Sequence, residues 1–452
     1  MNKKIIAFSL AGILFISLLS GCQTAPQNKP DDIVEPQPVA EPESRSEPSA
    51  VEPVEQPEKT EQTPVEAEAE PEVKPEHPIM KEFSEKEKAK LMYMQEPIVE
   101  DTAGLSLKDY YAERGILLGT FVTPDDYNDP WCMMKLEEQF ACVIPMYEFK
   151  AGALLDQASC RKSGKLEVTF SEMAQNWMNW AKEKGIKLHG HTLFWHKETP
   201  DWIFREGFTD DGEYVSREIM LERMENYIAS LFESLDKGGW LECFDSYDVI
   251  NEYLSLDGTA PNESPWVDRV GEDYIYYAFL YADRYAPEYV KLVYNENYAE
   301  VDTNKRDAVI EMAKTLTDEN GRSLADCIGL QCHVYSNMKV EDICDNIRYI
   351  AENSGLELQV TELDFTIMSS RDGIAMLKKE GTAFYKVCKT LLDLKEEGYP
   401  IYAFSTCGFC DMTSWMGART APHLYDIYGN EKYSYFAMLQ MKELSGFEEN
   451  AE

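Results

Sequence analysis

From Ile116 onward the chain repeats one pattern: a short apolar, β-branched run, then a longer stretch with helical spacing, then another run. The runs are Ile116–Val122, Ala141–Met146, Ile186–Trp195, Tyr247–Ile250, Leu292–Asn295, Ile328–Gln331, Leu356–Thr361 and Ile401–Phe404. Between the second and third, Ser171 stands as an N-cap after the apolar Phe170. Met173, Trp177 and Ala181 then recur at four-residue spacing, and Gly185 supplies the stop, which predicts an amphipathic helix. Comparable patterns cover Arg217–Leu235, Asp273–Tyr285, Asn304–Thr317, Val340–Asn353 and Gly373–Lys395. Strand and helix alternating eight times over roughly 300 residues predict an α/β chain closed into a (β/α)8 TIM barrel. An open doubly wound sheet would call for a glycine-rich phosphate turn after the first strand, and none follows Val122.

A barrel of this kind carries its chemistry at the C-terminal ends of its strands. Ser246-Tyr247-Asp248-Val249-Ile250-Asn251-Glu252 reads as a buried strand that ends on two polar residues, and Leu358-Gln359-Val360-Thr361-Glu362-Leu363-Asp364 repeats the design. The chain holds 82 Asp and Glu residues, so neither pair is a motif by itself; the signal is their place and order. Glu252 and Glu362 close the fourth and seventh strands and face each other across the barrel mouth. Hydrolysis of a glycosidic bond needs such a pair, one carboxylic acid to protonate the leaving oxygen and one carboxylate to attack or stabilise the anomeric carbon. The third run adds His189, His191 and His196 beside Trp195, three of the six histidines of the chain. Strand alternation sets His191 and Trp195 on one face, a wall suited to a sugar. His333 follows Gln331 at the end of the sixth strand, within reach of the nucleophile's surroundings. No histidine pair has helical ligand spacing, so neither a metal nor a cofactor is expected.

Four segments taken in order, Gly190-His191-Thr192-Leu193-Phe194-Trp195-His196, Asp248-Val249-Ile250-Asn251-Glu252, Gly329-Leu330-Gln331-Cys332-His333 and Thr361-Glu362-Leu363-Asp364, resemble the successive signatures of family 10 glycoside hydrolases, chiefly endo-β-1,4-xylanases. Asp411-Met412-Thr413-Ser414-Trp415 and Pro422-His423-Leu424-Tyr425-Asp426 fit the same pattern, so the resemblance runs from about Gly115 to about Met441. It implies retaining, endo-acting hydrolysis of β-1,4-xylosidic bonds in xylan, with Glu252 as acid/base and Glu362 as nucleophile. It further implies that Asn251 bonds the sugar 2-hydroxyl and that His333 with Asp364 holds the nucleophile. Lys150, His191, Trp195, His196, Gln331 and Trp415 would line the glycone subsites. The chain departs from the family at four positions: Met146 and Tyr147 replace a Glu-Asn pair, Glu198 replaces a glutamine, and Cys407 replaces the tryptophan that roofs the site. These changes leave the reaction machinery whole and alter the distal sugar contacts, with Cys407 expected to open space over the reacting sugar. Two alternatives stay open: a related β-1,4-glycanase or oligosaccharide-specific hydrolase, and a surface glycan-binding lipoprotein with a degenerate site.

Ahead of the barrel the sequence changes character twice. Lys3 and Lys4 precede an apolar stretch from Ile5 to Leu19, and Leu19-Ser20-Gly21-Cys22 resembles the bacterial lipobox. Residues 1–21 are thus expected to be a lipoprotein signal peptide with lipid attached to Cys22, the other reading being a secretory signal with an incidental cysteine. Residues 22–79 are expected to be a disordered tether: from 23 to 78 there are 15 Asp and Glu against 4 Lys and Arg, a net of −11, and almost no aromatic side chains. Residues 80–452 would be the catalytic domain, opening with a charged, helix-prone stretch over Met80–Met94. A net charge of −39 repels phosphate backbones, so no nucleic-acid partner is expected; a monomer, lipid-anchored at the cell surface and acting on a neutral glycan, is. Ten cysteines remain in the body at irregular spacing, and Cys407-Gly408-Phe409-Cys410 is a single CxxC, which reads as small buried thiols.

Overall fold

The computed structural model describes Thr102 and residues 104–367, 373–417 and 420–449. Cys22, the acidic tether and the Met80–Met94 stretch lie outside the described residues. Among the described residues, one sheet contains β1 (Leu117–Val122), β2 (Cys142–Pro145), β3 (Lys187–Gly190), β4 (Phe244–Asn251), β5 (Lys291–Glu296), β6 (Cys327–Leu330), β7 (His333–Tyr335), β8 (Glu357–Thr366) and β9 (Ile401–Thr406). Eight of these follow the order β6-β5-β4-β3-β2-β1-β9-β8, and β8 returns to pair with β6, so the sheet closes into the expected parallel barrel. β7 is too short to show as a run in the sequence; it replaces β6 as the neighbour of β8, pairing His333 with Asp364.

Helices follow the strands: α1 (Pro130–Gln139), α2 (Glu172–Lys184), α3 (Arg217–Gly238), α4 (Tyr274–Tyr285), α5 (Thr303–Thr315), α6 (Val340–Asn353), α7 (Gly373–Glu396) and α8 (Tyr433–Met438). The local signals explain their limits. Ser171 accepts a hydrogen bond from the Ala174 N–H at 3.1 Å, an N-cap of about 1 kcal/mol, and Gly185 ends α2 in the left-handed region at φ +67°. Trp177 and Ala181 of that helix are fully buried, and Met173 packs on the same core. The ten cysteines among the described residues are free thiols, nine of them buried, and they pack as small apolar side chains. Among the described residues no helix is long and apolar enough to cross a membrane.

The third strand is shorter than the run Ile186–Trp195 predicted. Regular pairing stops at Gly190, where a Cβ would lie 2.2 Å from the ring of Tyr247. Beyond it the chain stays against β4 without regular geometry: Leu193 and Phe194 donate their N–H groups to the carbonyls of Asp248 and Val249. The extra length in the sequence is therefore a loop pinned to the barrel rim.

Candidate active site

Both strand-end glutamates sit beside breaks in the strand ladder. Along β8 and β9, Val360 pairs with Phe404 but Leu363 with Thr406, so Thr361 and Glu362 bulge by one residue. Along β4 and β5, Asp248 pairs with Val293 but Ile250 with Tyr294. A bulge turns side chains out of the regular alternation, and here the turn aims polar groups into the mouth. Glu252 itself adopts φ +54°, a left-handed conformation that costs a residue other than glycine of order 1–2 kcal/mol. Its neighbours hold it there. The Glu252 N–H donates to the Asn295 carbonyl at 3.0 Å, and Asn262 Nδ2 donates to the Glu252 carbonyl at 2.8 Å. The Leu254 N–H donates to Glu296 Oε1 at 2.8 Å, and that glutamate forms a fully buried ion pair with Lys305 at 2.9 Å.

Glu362 is buried among donors. Asn295 Nδ2 donates to its Oε1 at 3.1 Å, and His333 Nε2 lies 3.4 Å from Oε2. The other ring nitrogen of His333, Nδ1, lies 3.0 Å from Asp364 Oδ2, which also accepts from Trp415 Nε1 at 3.3 Å. Burial alone would raise the Glu362 carboxyl, but the hydrogen bond and charge of His333, with His191 beyond, hold it below the usual carboxylate range. The same contacts act in reverse on the histidine. Burial lowers it, yet Asp364 and Glu362 together hold it well above the usual imidazole range, so an imidazolium faces the carboxylate.

Glu252 accepts from Trp195 Nε1 at 2.9 Å on Oε2 and from Gln331 Nε2 at 3.1 Å on Oε1. Lys197 Nζ approaches Oε2 at 3.4 Å, and His196 Nε2 lies 3.8 Å from it. Burial pushes this carboxyl up; Lys197, the Trp195 and Gln331 hydrogen bonds and His196 outweigh it and hold it below the ordinary value. A chain of amides joins the two glutamates: Asn295 donates to Glu362 and at 3.0 Å to Asn251 Oδ1, and Gln331 donates to that same oxygen at 3.3 Å and to Glu252. Gly329 makes room for Asn295, since a Cβ there would lie 2.6 Å from its Oδ1. Beneath them Asp248, fully buried, is hydrogen-bonded to His191 Nδ1 at 2.8 Å and has His189 Nε2 3.0 Å from its Oδ2. Burial raises that carboxyl, and the two histidines more than reverse the effect.

These groups open on a cleft of about 390 Å³. Lys150 stands on its wall with Nζ 3.0 Å from Glu198 Oε1 and 4.9 Å from the centre of the Trp195 ring. Tyr147 and Trp415 present half-open rings, 45% and 48% exposed, at the cleft. His191, Trp195, Asn251 and Gln331 also line it, while His196 and Asp364 stand behind its wall. Every site residue expected from sequence that lies among the described residues is thus gathered at one end of the barrel. Cys407 lines the same cleft, with its Sγ 3.8 Å from Glu362 Oε2. It is buried against Phe121 and Ile144, with Met146 packed on the same group, so this part of the cleft wall is apolar.

The model of glycosyl hydrolase family 10 matches residues 106–441. The chain belongs to that family. Among family 10 relatives it is 28% identical over 355 residues to "Endo-1,4-beta-xylanase Y" of Acetivibrio thermocellus, covering 74% of this chain and 32% of that protein. It is 31% identical over 327 residues to "Bifunctional endo-1,4-beta-xylanase XylA" of Ruminococcus flavefaciens, covering 70% and 32%. The chain therefore spans about a third of the length of these curated relatives. Among solved family 10 structures, the CBM22-1 and GH10 modules of a Clostridium thermocellum endo-1,4-β-D-xylanase, in complex with xylohexaose, match with a TM-score of 0.67 at 27% identity, covering 75% of this chain and 68% of theirs. An intracellular xylanase of Thermoanaerobacterium saccharolyticum matches with a TM-score of 0.65 at 26% identity, covering 75% and 99%.

Two groups in this family 10 site escaped the sequence reading. Lys197 follows His196 in a loop, where a charged residue reads as solvated, and nothing local tells that the loop folds back on Glu252. Asn295 carried a usable signal: it closes an apolar strand next to the strand of Asn251, the same design that singled out Glu252 and Glu362.

Proposed function

We propose that this chain hydrolyses internal β-1,4-xylosidic bonds of xylan with retention of configuration. The observation that carries the proposal is the amide relay Asn295–Asn251–Gln331, which ties a buried, ionised Glu362 to Glu252 in one cleft of a family 10 barrel. In the first step Glu362 attacks the anomeric carbon, the glycosidic C–O bond breaks, and Glu252 gives its proton to the leaving oxygen. In the second step Glu252 takes a proton from water, whose oxygen displaces Glu362 and restores it. His333 and Asn295 keep Glu362 ionised between turnovers. Asn251, held by two amide donors through its Oδ1, leaves its NH2 for a sugar hydroxyl. Trp195, Tyr147 and Trp415 offer aromatic faces to the pyranose rings, and Lys150, His191 and Gln331 offer polar contacts.

NMR of early products tests the stereochemistry, and product profiles on xylan, arabinoxylan, mixed-linkage glucan and xylo-oligosaccharides test the substrate. Retained configuration with internal cuts in xylan is the expected result; inversion, or no cleavage of xylan, would sink the reading. A second reading, a hydrolase for another β-1,4-glycan or for short oligosaccharides, draws on the apolar patch of Met146 and Cys407 where polar and indole groups are usual, and the same panel separates the two.

For the part of the chain before the barrel, the proposal is a monomeric lipoprotein held at the bacterial cell surface through lipid on Cys22, with residues 22–79 as spacer. The support is the lipobox-like tetrapeptide and the acidic, proline-rich composition behind it. Cys22→Ala should leave activity intact and release the protein from membranes; retention would point instead to an uncleaved N-terminal helix.

A further inference from the structure

His333, Glu362 and Cys407 come from three adjacent positions around the barrel, on β7, on β8 and just after β9. Their donor atoms all lie within 4.8 Å of one another. Glu362 Oε2 is 3.4 Å from His333 Nε2 and 3.8 Å from Cys407 Sγ. In a tetrahedral zinc site, bond lengths near 2.0 Å to N and O and 2.3 Å to S put ligand atoms roughly 3.3–3.6 Å apart, so small side-chain shifts would bring these three onto one ion. Each donor is held from behind. Asn295 fixes Glu362 at 3.1 Å, and the Cys407 N–H donates to the Leu363 carbonyl at 3.0 Å. Asp364 takes the far nitrogen of His333 at 3.0 Å, the carboxylate–histidine arrangement that orients imidazole ligands and raises their basicity. The remaining coordination position faces the open cleft, where water would fit.

We propose that His333, Glu362 and Cys407 form a binding site for a borderline-soft divalent cation of the zinc type, and that its occupation switches the enzyme off by capturing Glu362. The thiolate is the selective element: it favours zinc-like ions over magnesium and calcium, which take oxygen. Binding displaces the thiol proton and the His333 Nε2 proton into solvent. The cation's two positive charges then meet one thiolate and one carboxylate, so the centre stays neutral, as the imidazolium–carboxylate pair was before. The inhibition rests on Glu362 being the nucleophile of the proposed hydrolysis; the binding does not. Sequence inspection finds no ligand pair here, because three strands each contribute one donor.

The test is titration of the full-length protein with Co2+, followed by Zn2+. One Co2+ per chain should produce a sulfur-to-cobalt charge-transfer band that Zn2+ abolishes and that is absent from Cys407→Ser and Cys407→Ala, both checked for folding by near-ultraviolet circular dichroism. Asp364→Asn should weaken the metal about 10–100-fold. In the wild-type protein Zn2+ should inhibit hydrolysis reversibly, with full recovery on chelation, whereas Mg2+ and Ca2+ should do nothing. Absence of the band, or its persistence in both Cys407 variants, overturns the site. Bound Zn2+ with undiminished hydrolysis overturns the switch. If the band behaves as expected while no glycan is cleaved under any condition, the site stands and the proposed hydrolase function falls.

Discussion

The ammonium of Lys197 lies 3.4 Å from the carboxylate of Glu252, the group assigned to donate a proton. A cation there favours the ionised form, which suits the second step, where Glu252 acts as base, and shortens the pH range in which the first step finds its acid. Lys197 is more than half exposed, so the effect is screened by salt.

Lys197→Met should therefore move the alkaline limb of the kcat/KM profile to higher pH, because Glu252 keeps its proton longer once the ammonium is gone. The acid limb, set by Glu362, should stay in place. A pH–rate series at low and moderate ionic strength checks this, and an alkaline limb that stays put or moves down would refute the assignment of Lys197.

Glu252→Gln should cost about 10²–10⁴-fold in turnover on xylan, the usual contribution of one acid/base group, and Glu362→Gln should abolish most hydrolysis. Both proteins should fold, since the carboxylates stand at the barrel mouth and not among the apolar core. Steady-state rates with circular dichroism decide it; near-normal turnover in Glu362→Gln would remove it as nucleophile.

The charge on His333 carries a stability signature. Its folded-state pKa lies above the unfolded value near 6.5, so the stabilisation is complete below that value and fades as pH rises through the raised one. In Asp364→Asn the main partner is lost, so the folded-state value falls and the fading should be complete at lower pH. Melting temperature measured across pH, together with NMR titration of the imidazole, should show both changes in this direction.

Lys305→Met leaves Glu296 buried without its partner and removes the donor to the Leu254 carbonyl, 3.1 Å from Nζ. A loss of about 3–5 kcal/mol is expected, as for other broken buried pairs. Thermal or urea unfolding measures it, and Lys305→Met/Glu296→Leu should recover most of the loss. A single mutant of wild-type stability would show that the pair does not hold the segment after Glu252.

Met146→Glu/Tyr147→Asn should improve kcat/KM on unbranched xylo-oligosaccharides by about tenfold, two restored sugar hydrogen bonds being worth on the order of 0.5–1.5 kcal/mol each. Comparing linear with substituted oligosaccharides in both proteins tests it; no gain would mean that other residues already compensate.

The barrel was legible because its signals are local. Short apolar runs, Ser171 and Gly185 specify their elements within a few residues, and the glutamates at strand ends follow from the fold. What the sequence hid depends on return paths of the chain. Trp195 lay in a predicted strand, yet it sits in a loop, because the contacts that hold that segment run to Asp248 and Val249, more than 50 positions away. Lys197 and Asn295 gain their meaning only from Glu252 and Glu362, which lie 55 and 67 positions away. Positive φ at Glu252 is likewise set by Asn295, Asn262 and Glu296, each reached through a different loop or strand.

The patch of Phe121, Ile144, Met146 and Cys407 bears on how such a site can change over successive generations. A carboxylate introduced at 146 with the neighbouring cysteine intact meets an apolar surface, and an indole introduced at 407 with the methionine intact meets an occupied one. Each single step then realises only part of its effect, and the full effect needs both. The effects of changes at the two positions are then not additive, which couples them although 260 residues separate them in the chain.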